Sequence, residues 1–227
     1  MSASKAKVKL ACFDIDGTVM ACDSFRQKLF CTFYHSPWRI ILAIIIFPVI
    51  CIKRRELGSR SAVKSAFIWA LTFGRSPAGL KQLFLKGKFS IPALCEPCLY
   101  KEIRSELNRL RREGHHICYV SASADAWLKG VIALFDDGDY TLISTRLKTW
   151  ARGLIIDGRN CYGSEKVRRI HNQWPHAVEL TAGYTDSISD SAFLALCKKK
   201  YLINPDQKVA AYYAQKNINV TRLRWSA

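Results

Sequence analysis

The stretch KVKLACFDIDGTVM, residues 7–20, constrains the fold more than any other part of the chain. An apolar run that ends in two aspartates one residue apart, followed by a Gly-Thr turn, reads as a buried strand of a parallel sheet. The carboxyl end of such a strand is the edge where α/β proteins bind ligands. Period-two alternation places Asp14 and Asp16 on one side, so two negative charges converge and require a cation or a shared proton. That requirement is functional, because packing alone does not bring two carboxylates together.

The rest of the chain predicts what surrounds this strand. From about residue 99 a charged helix (LYKEIRSELNRLRREG) leads to a strand (HHICYVSAS), an Ala-rich turn and helix, and the strand-like YTLISTRLKTW. A hairpin within RGLIIDGRN precedes a helix starting near Ser164. Then come the strand AVELTAGYTDS, a short helix through Ala195 and a last strand, KYLINP. Strands alternating with helices imply a parallel sheet with right-handed crossovers. The expectation is an α/β fold with a discontinuous core, residues 1–23 and 96–227, and a helical insertion at 24–95.

Charge singles out that insertion. The chain carries 35 basic and 18 acidic residues, a net charge of +17. Between Arg26 and Lys88 there are twelve Lys or Arg against one acid, Glu56, which accounts for +11 of it. The same segment holds an apolar run, Ile40 to Ile52, without a polar side chain. Thirteen helical residues rise only about 20 Å, short of a hydrocarbon layer of roughly 30 Å, and Pro48 should kink or end the helix. Trp38 and Arg39 at one end, and Lys53, Arg54 and Arg55 at the other, resemble the anchors of a segment at a bilayer surface. Residues 38–52 are therefore expected to contact a membrane, with Arg26, Lys28, Arg39 and Lys53 to Arg55 as headgroup candidates. A second helix over SAVKSAFIWALTFG, stopped at Gly74, would complete a hairpin, whose other reading is two helices that simply bury each other.

Nine scattered cysteines, several inside strand-like runs, fit reduced thiols in a core, and the lone CxxC pair, Cys95 and Cys98, reads as structural. The amino-terminal residues lead into the first strand without an apolar stretch and cleavage site. The expectation is no secretory signal and a catalytic part facing the cytoplasm. Few aromatics interleave with the basic residues, so no nucleic-acid partner is expected, and the sequence specifies no oligomeric state.

Four short stretches fall at predicted strand ends or at a helix start: DIDGT at 14–18, YVSAS at 119–123, GSEK at 163–166 and TDSISD at 185–190. Their chemistry is complementary. Asp14 could attack phosphorus, Asp16 could donate a proton to the leaving oxygen and then activate water, and Ser121 could hydrogen-bond a phosphoryl oxygen. Lys166 could neutralise the crowded charge, while Asp186 and Asp190 join Asp14 around a magnesium ion. Taken singly, Ser121 and Asp190 also read as helix caps and Lys166 as a solvated helix residue.

In this order the motifs resemble the haloacid dehalogenase superfamily of phosphatases, in its phosphoserine-phosphatase-like branch, over residues 7 to about 205. The resemblance implies an aspartyl-phosphate on Asp14. It makes Asp16 the acid/base that also lends its backbone carbonyl to Mg2+, Ser121 and Lys166 the phosphoryl-binding pair, and Asp186 a metal ligand. Asp190 would hold the metal's water shell or Lys166. Ser123 is the substitute for Ser121. Asp23, nine residues after Asp14, falls where relatives carry an acid over the substrate, and it reads equally as the cap of the first inserted helix. The acid at position 16 favours a phosphohydrolase over the superfamily's dehalogenases and ion pumps.

An insertion after the first motif implies a cap that selects the substrate, here one both basic and apolar. DIDGTVMACDSF, the apolar run before KRREL, ALTFGRSPAGL, CYGSEKV and GYTDSISD resemble the bacterial phosphatidylglycerophosphatase C family. SAS in place of Ser-Gly-Gly departs from soluble phosphoserine phosphatases. What this implies is a phospholipid phosphate substrate, an anionic membrane surface as partner and the cytoplasmic face of a bacterial inner membrane as location. The alternative is a soluble cytoplasmic phosphatase of a small metabolite such as phosphoserine.

Overall fold

The computed structural model describes residues 8–55, 58–175 and 178–227. The amino-terminal segment 1–7, on which the leader reading rests, and Glu56, the one acid of the basic segment, lie outside the described residues.

Strand β1 (Val8–Phe13) is the apolar run of the opening motif, and its last four residues are fully buried. It is flanked by β2 (His116–Ala124) on one side and β6 (Val178–Thr185) on the other, both parallel to it. With β3 (Tyr140–Thr145), β7 (Lys199–Ile203) and β8 (Thr221–Leu223) they form a six-stranded parallel sheet of order β3-β2-β1-β6-β7-β8. The strand order reverses at β1, so the crevice beyond its carboxyl end is the topological switch point where such sheets bind ligands. Rings stack through the sheet centre, Phe13 on Tyr184 at 4.0 Å and Tyr184 on Tyr201 at 4.6 Å.

The described residues between β1 and the rest of the sheet form the helices α1 (Ser24–His35), α2 (Trp38–Lys53), α3 (Gly58–Thr72), α4 (Pro77–Phe84) and α5 (Ile91–Cys95). Helix α2 runs through Pro48, because Pro48 lies on the exposed side and the bond it removes costs no buried partner. Two of the basic residues expected at the surface turn inward instead. Lys28 is buried and donates to the Phe89 carbonyl, and Arg39 is buried and donates to the Ala70 carbonyl of α3. Each long cation satisfies a backbone acceptor at a helix end or turn, which holds it inside.

The predicted strand YTLISTRLKTW breaks at Arg146. Its second half, β4 (Leu147–Trp150), pairs antiparallel with β5 (Gly153–Ile156). The turn of this hairpin is therefore Ala151-Arg152, both at positive φ (45° and 63°), so the hairpin expected at RGLIIDGRN instead joins RGLII to the end of the preceding strand. The hairpin grips α3: Leu154 N–H donates to Thr72 Oγ1 (2.8 Å), and Trp69 Nε1 to the carbonyls of Trp150 and Ala151 (3.2 and 3.1 Å). Helices α6 (Ile103–Arg112), α7 (Asp125–Ile132), α8 (Ser164–Gln173) and α9 (Ser191–Leu196) follow the expected order. Beyond the expected last strand the chain adds α10 (Gln207–Gln215) and β8. All nine cysteines are free thiols.

Candidate active site

The chain leaves β1 at Phe13 and turns sharply. Asp14 N–H still donates to the Tyr184 carbonyl (3.0 Å), but Gly17 stands at φ +79° and Thr18 N–H reaches back to the Ile15 carbonyl (3.1 Å). Strand alternation thus stops before it can set the two carboxylates side by side, and each finds its own partners. Asp14 pairs with a lysine, whereas Asp16 is held by hydrogen bonds from Ser24 and Ser123.

Asp14 is nearly buried, and its Oδ1 accepts from Lys166 Nζ at 2.8 Å. Lys166, in the first turn of α8, also donates to Asp190 Oδ2 at 2.8 Å. Burial alone would depress this ammonium, but Asp14 and Asp190 more than reverse it and hold it above its usual range. Burial pushes the Asp14 carboxyl up, against the pull of Lys166, and the charges of Asp190 and Asp186 add to the push. Thr185 Oγ1 donates a second bond to Asp190 Oδ2 (2.8 Å), while the buried Asp190 Oδ1 has no hydrogen-bond partner among the described residues.

Asp16 faces the helical insertion. Its Oδ1 accepts from Ser24 N–H (2.7 Å) and its Oδ2 from Ser123 Oγ (2.5 Å). Burial raises its pKa, the charge of Asp23 raises it further, and the Ser123 bond works the other way. An acid so placed retains a proton more readily than an exposed aspartate, which suits a proton donor. Ser121, on β2 just before its register irregularity, is buried, and its Oγ accepts from Ser123 N–H (3.0 Å). The two serines expected as alternatives thus do different work: Ser121 braces the irregular end of β2 and Ser123 holds Asp16.

Asp186 follows β6 and accepts from Thr18 Oγ1 (3.1 Å), with burial raising its pKa to about 6. It lies so close over Gly17 that a Cβ there would stand 2.1 Å from Asp186 Oδ2. Glycine is required at this position both for its backbone angle and for this approach. Asp23 caps α1, accepting from Arg26 N–H at 2.7 Å, and also lines a cleft of about 530 Å³ with Asp16, Gly17, Arg26, Phe30 and Asp186. Both readings of Asp23 are compatible with that position.

Among the described residues no three His, Cys, Asp or Glu side chains form a metal cage. Magnesium does not need one, since it takes one or two carboxylates and fills its octahedron with water and phosphate oxygens. Asp14 and Asp186 are hard oxygen donors at one sheet edge, and the space kept by Gly17 accommodates the second of them. The side chain of Asp16 is engaged by Ser24 and Ser123, and Asp190 gives its Oδ2 to Lys166 and Thr185 while its Oδ1 takes no bond from the described residues.

One residue near the site carries no motif signal. Lys64 projects from α3 and donates to the Ala122 carbonyl (2.8 Å), next to Ser121 and Ser123. Burial pulls its pKa down, while the charges of Asp16 and Asp23 oppose the fall. A lysine among the small residues Ser61, Ala62, Ser65 and Ala66 is the trace it leaves in the sequence, because small residues let α3 approach the core closely.

The sequence profile of the haloacid dehalogenase-like hydrolases matches residues 11–195, most of the chain. The chain belongs to that family. It is 27% identical over 196 residues to Protein CicA of Caulobacter vibrioides, covering 84% of both chains. A solved protein of unknown function from Bordetella pertussis superposes with a TM-score of 0.68 at 19% identity, over 95% of this chain and 98% of that one. A phosphoserine phosphohydrolase-like protein from Francisella tularensis superposes with a TM-score of 0.60 at 13% identity, covering 94% and 95%. The two solved structures share the α/β architecture described above.

Proposed function

We propose that the protein is a magnesium-dependent phosphomonoesterase that forms an aspartyl-phosphate on Asp14 and releases the terminal phosphate of phosphatidylglycerophosphate. The observation that carries the chemistry is the separate engagement of the two aspartates. Asp14 Oδ1 is fixed by Lys166, and Asp16 is held apart on Ser24 and Ser123 with a raised pKa. In the first step a bond forms between an Asp14 carboxylate oxygen and phosphorus as the bond to the leaving oxygen breaks, and Asp16 supplies the proton that oxygen needs. In the second, Asp16 takes a proton from water as the water oxygen attacks phosphorus. Phosphate leaves and the Asp14 carboxylate is restored. Lys166 and Ser121 serve the phosphoryl oxygens, and Asp190 keeps Lys166 in place. Magnesium, held by Asp14 and Asp186 with the Asp16 carbonyl, would offset the repulsion between carboxylates and phosphate.

The lipid substrate is supported by the walls of the cleft. On the side of α1 it is bounded by Asp23, Arg26, Gln27 and Phe30, a lining with one acid, one cation, an amide and an exposed aromatic ring. Phe30 is 63% exposed, and α1 leads directly into the apolar helix α2. A diester phosphate and two acyl chains match such a wall better than a small zwitterion does. In this reading residues 24–95 act as the cap over a core of 1–23 and 96–227, and the enzyme works at the cytoplasmic face of a bacterial inner membrane.

The test is phosphate release from phosphatidylglycerophosphate in mixed micelles with magnesium, beside phosphoserine and beside Asp14→Asn. Release from the lipid alone, lost in the variant, is the expected result. Release from phosphoserine and none from the lipid would keep the chemistry and overturn the substrate. Undiminished release by Asp14→Asn would overturn the nucleophile.

A further inference from the structure

Helix α2 is buried on a narrow stripe only. Arg39, Ala43 and Ile50 face inward, with Leu42, Ile46 and Cys51 half-buried beside them. The remaining surface of the helix is apolar and open: Ile44 is 67% exposed, Ile52 64%, Ile45 63%, Ile41 59% and Trp38 50%. Proteins that remain free in water rarely leave a contiguous apolar face of this kind uncovered. The face continues around the corner between α1 and α2 through Tyr34. From there it reaches Leu85 and Phe89, because the rings of His35 and Phe89 lie 5.2 Å apart.

Among the described residues of 24–95 the charges at the rim of this face are basic. Lys53 and Arg55 stand at the end of α2, Arg26 lies over the Phe30 ring at 5.4 Å, and Lys88 over the Phe89 ring at 5.6 Å. No acidic side chain occurs among the described residues of 24–95. A second copy of the chain would bring two such rims together, and like charges oppose that pairing. An anionic lipid surface meets both demands at once, taking up the apolar face and neutralising the rim.

The geometry also decides how the helix meets the lipid. Among the described residues no single helix is long and apolar enough to cross a membrane, and the only pair that passes by length and composition, α1 with α2, is bent by 119°. The 16 residues of α2 span about 24 Å at 1.5 Å per residue, short of a layer of roughly 30 Å. Helix α1 cannot supply the difference. Its Ser24 accepts from Trp127 Nε1 in the core (3.2 Å), and its Lys28 is buried on the Phe89 carbonyl. Drawing α2 away from α3 would strand the guanidinium of Arg39 without its Ala70 acceptor.

We infer that α2 lies in the plane of an anionic bilayer surface as an interfacial helix, with Ile41, Ile44, Ile45 and Ile52 in the boundary between headgroups and acyl chains. Phe30 belongs both to the exposed aromatic corner and to the wall of the Asp16–Asp186 cleft. The mouth of the cleft therefore stands at headgroup level. The docking rests on the surface of the 24–95 insertion alone, and the delivery of a lipid phosphate into the cleft rests on the function proposed above.

The test uses the full chain and sedimentation with vesicles of phosphatidylcholine, with and without phosphatidylglycerol. The expected result is binding to the anionic vesicles only, weakened by salt and released by alkaline carbonate. Binding should fall about tenfold or more in the triple variant Ile41→Ser, Ile44→Ser, Ile45→Ser, whose helical signal and melting are compared with the parent. Should that variant not fold, Ile52→Ser alone should reduce binding measurably. Equal binding by the folded variants, or retention through the carbonate wash, overturns the in-plane docking. So does a concentration-dependent dimer in lipid-free sedimentation velocity that the same substitutions abolish, since it would assign the face to a second copy. A parent protein that binds the vesicles yet releases no phosphate from phosphatidylglycerophosphate would leave the docking intact and remove the substrate. Hydrolysis of the lipid in micelles without any vesicle binding would do the reverse.

Discussion

The sheet edge and the surface of α2 treat burial in opposite ways. At the edge, charge is inside: Lys166 is 2% exposed between Asp14 and Asp190. On α2, hydrocarbon is outside, with four isoleucines about three-fifths exposed or more. Buried ions contribute little net stability once desolvation is counted, and an exposed apolar face contributes nothing to folding until something covers it. Both regions therefore depart from the most stable arrangement, and the form of each departure indicates its use. The edge holds a few atoms in fixed geometry, whereas the face offers area with little positional demand.

This contrast can be broken most sharply at Asp14. Asp14→Asn keeps the size of the side chain and removes the attacking charge, so turnover of any phosphomonoester should fall by about a thousandfold or more while the melting temperature changes little. Single-turnover phosphate release checks it, and near-normal turnover would mean the buried ion pair is structural only. Lys166→Met comes next. It leaves the Asp14 and Asp190 carboxylates buried without their cation, so urea unfolding should show a loss of about 3–5 kcal/mol, with turnover down about a hundredfold. A stable Lys166→Met would indicate that the edge tolerates uncompensated charge. Gly17→Ala should cost about ten- to a hundredfold in turnover, because its Cβ would displace the Asp186 carboxylate and its backbone would be strained at φ +79°.

Ser123→Ala tests a subtler part of the edge. The Ser123 hydroxyl favours the ionised form of Asp16, so its removal raises the Asp16 pKa further. A carboxyl that must carry a proton into the reaction then keeps it to higher pH. The alkaline limb of kcat/KM should move upward, with turnover at neutral pH changed by only about a few-fold. A pH profile of the variant beside the parent reads this directly, and an unmoved limb would detach Asp16 from the proton transfer.

What the sequence disclosed divides along the same line. Apolar runs ending in polar residues made β1, β2 and β6 legible, and the four motifs follow because each is local to a strand end or helix start. Directions of side chains were not legible. Asp14 meets Lys166, Asp16 meets Ser123 and Gly17 meets Asp186, all far along the chain, which no local alternation encodes. Lys28 and Arg39 read as surface cations until their acceptors, Phe89 and Ala70, are placed by tertiary packing. The β4–β5 hairpin escaped because Ala151 and Arg152 adopt positive φ without the usual Asn-Gly signal, and Lys64 because its neighbour Ala122 lies across the interface between α3 and the core.

The smallest predicted effect is the one that most sharpens the comparison. Ile44 and Ile50 are six residues apart on the same helix and chemically identical, but Ile44 is 67% exposed and Ile50 fully buried. Ile50→Ala opens a cavity against the core and should cost about 2–5 kcal/mol in urea unfolding. Ile44→Ala should change stability by less than about 0.5 kcal/mol, since most of its side chain lies in solvent. If the two substitutions cost the same, α2 is packed on both sides in solution and its outer face is not free to meet a membrane. If Ile44→Ala is silent in water but weakens vesicle binding, the isoleucines of α2 divide into those that hold the helix to the protein and those that hold the protein to the bilayer.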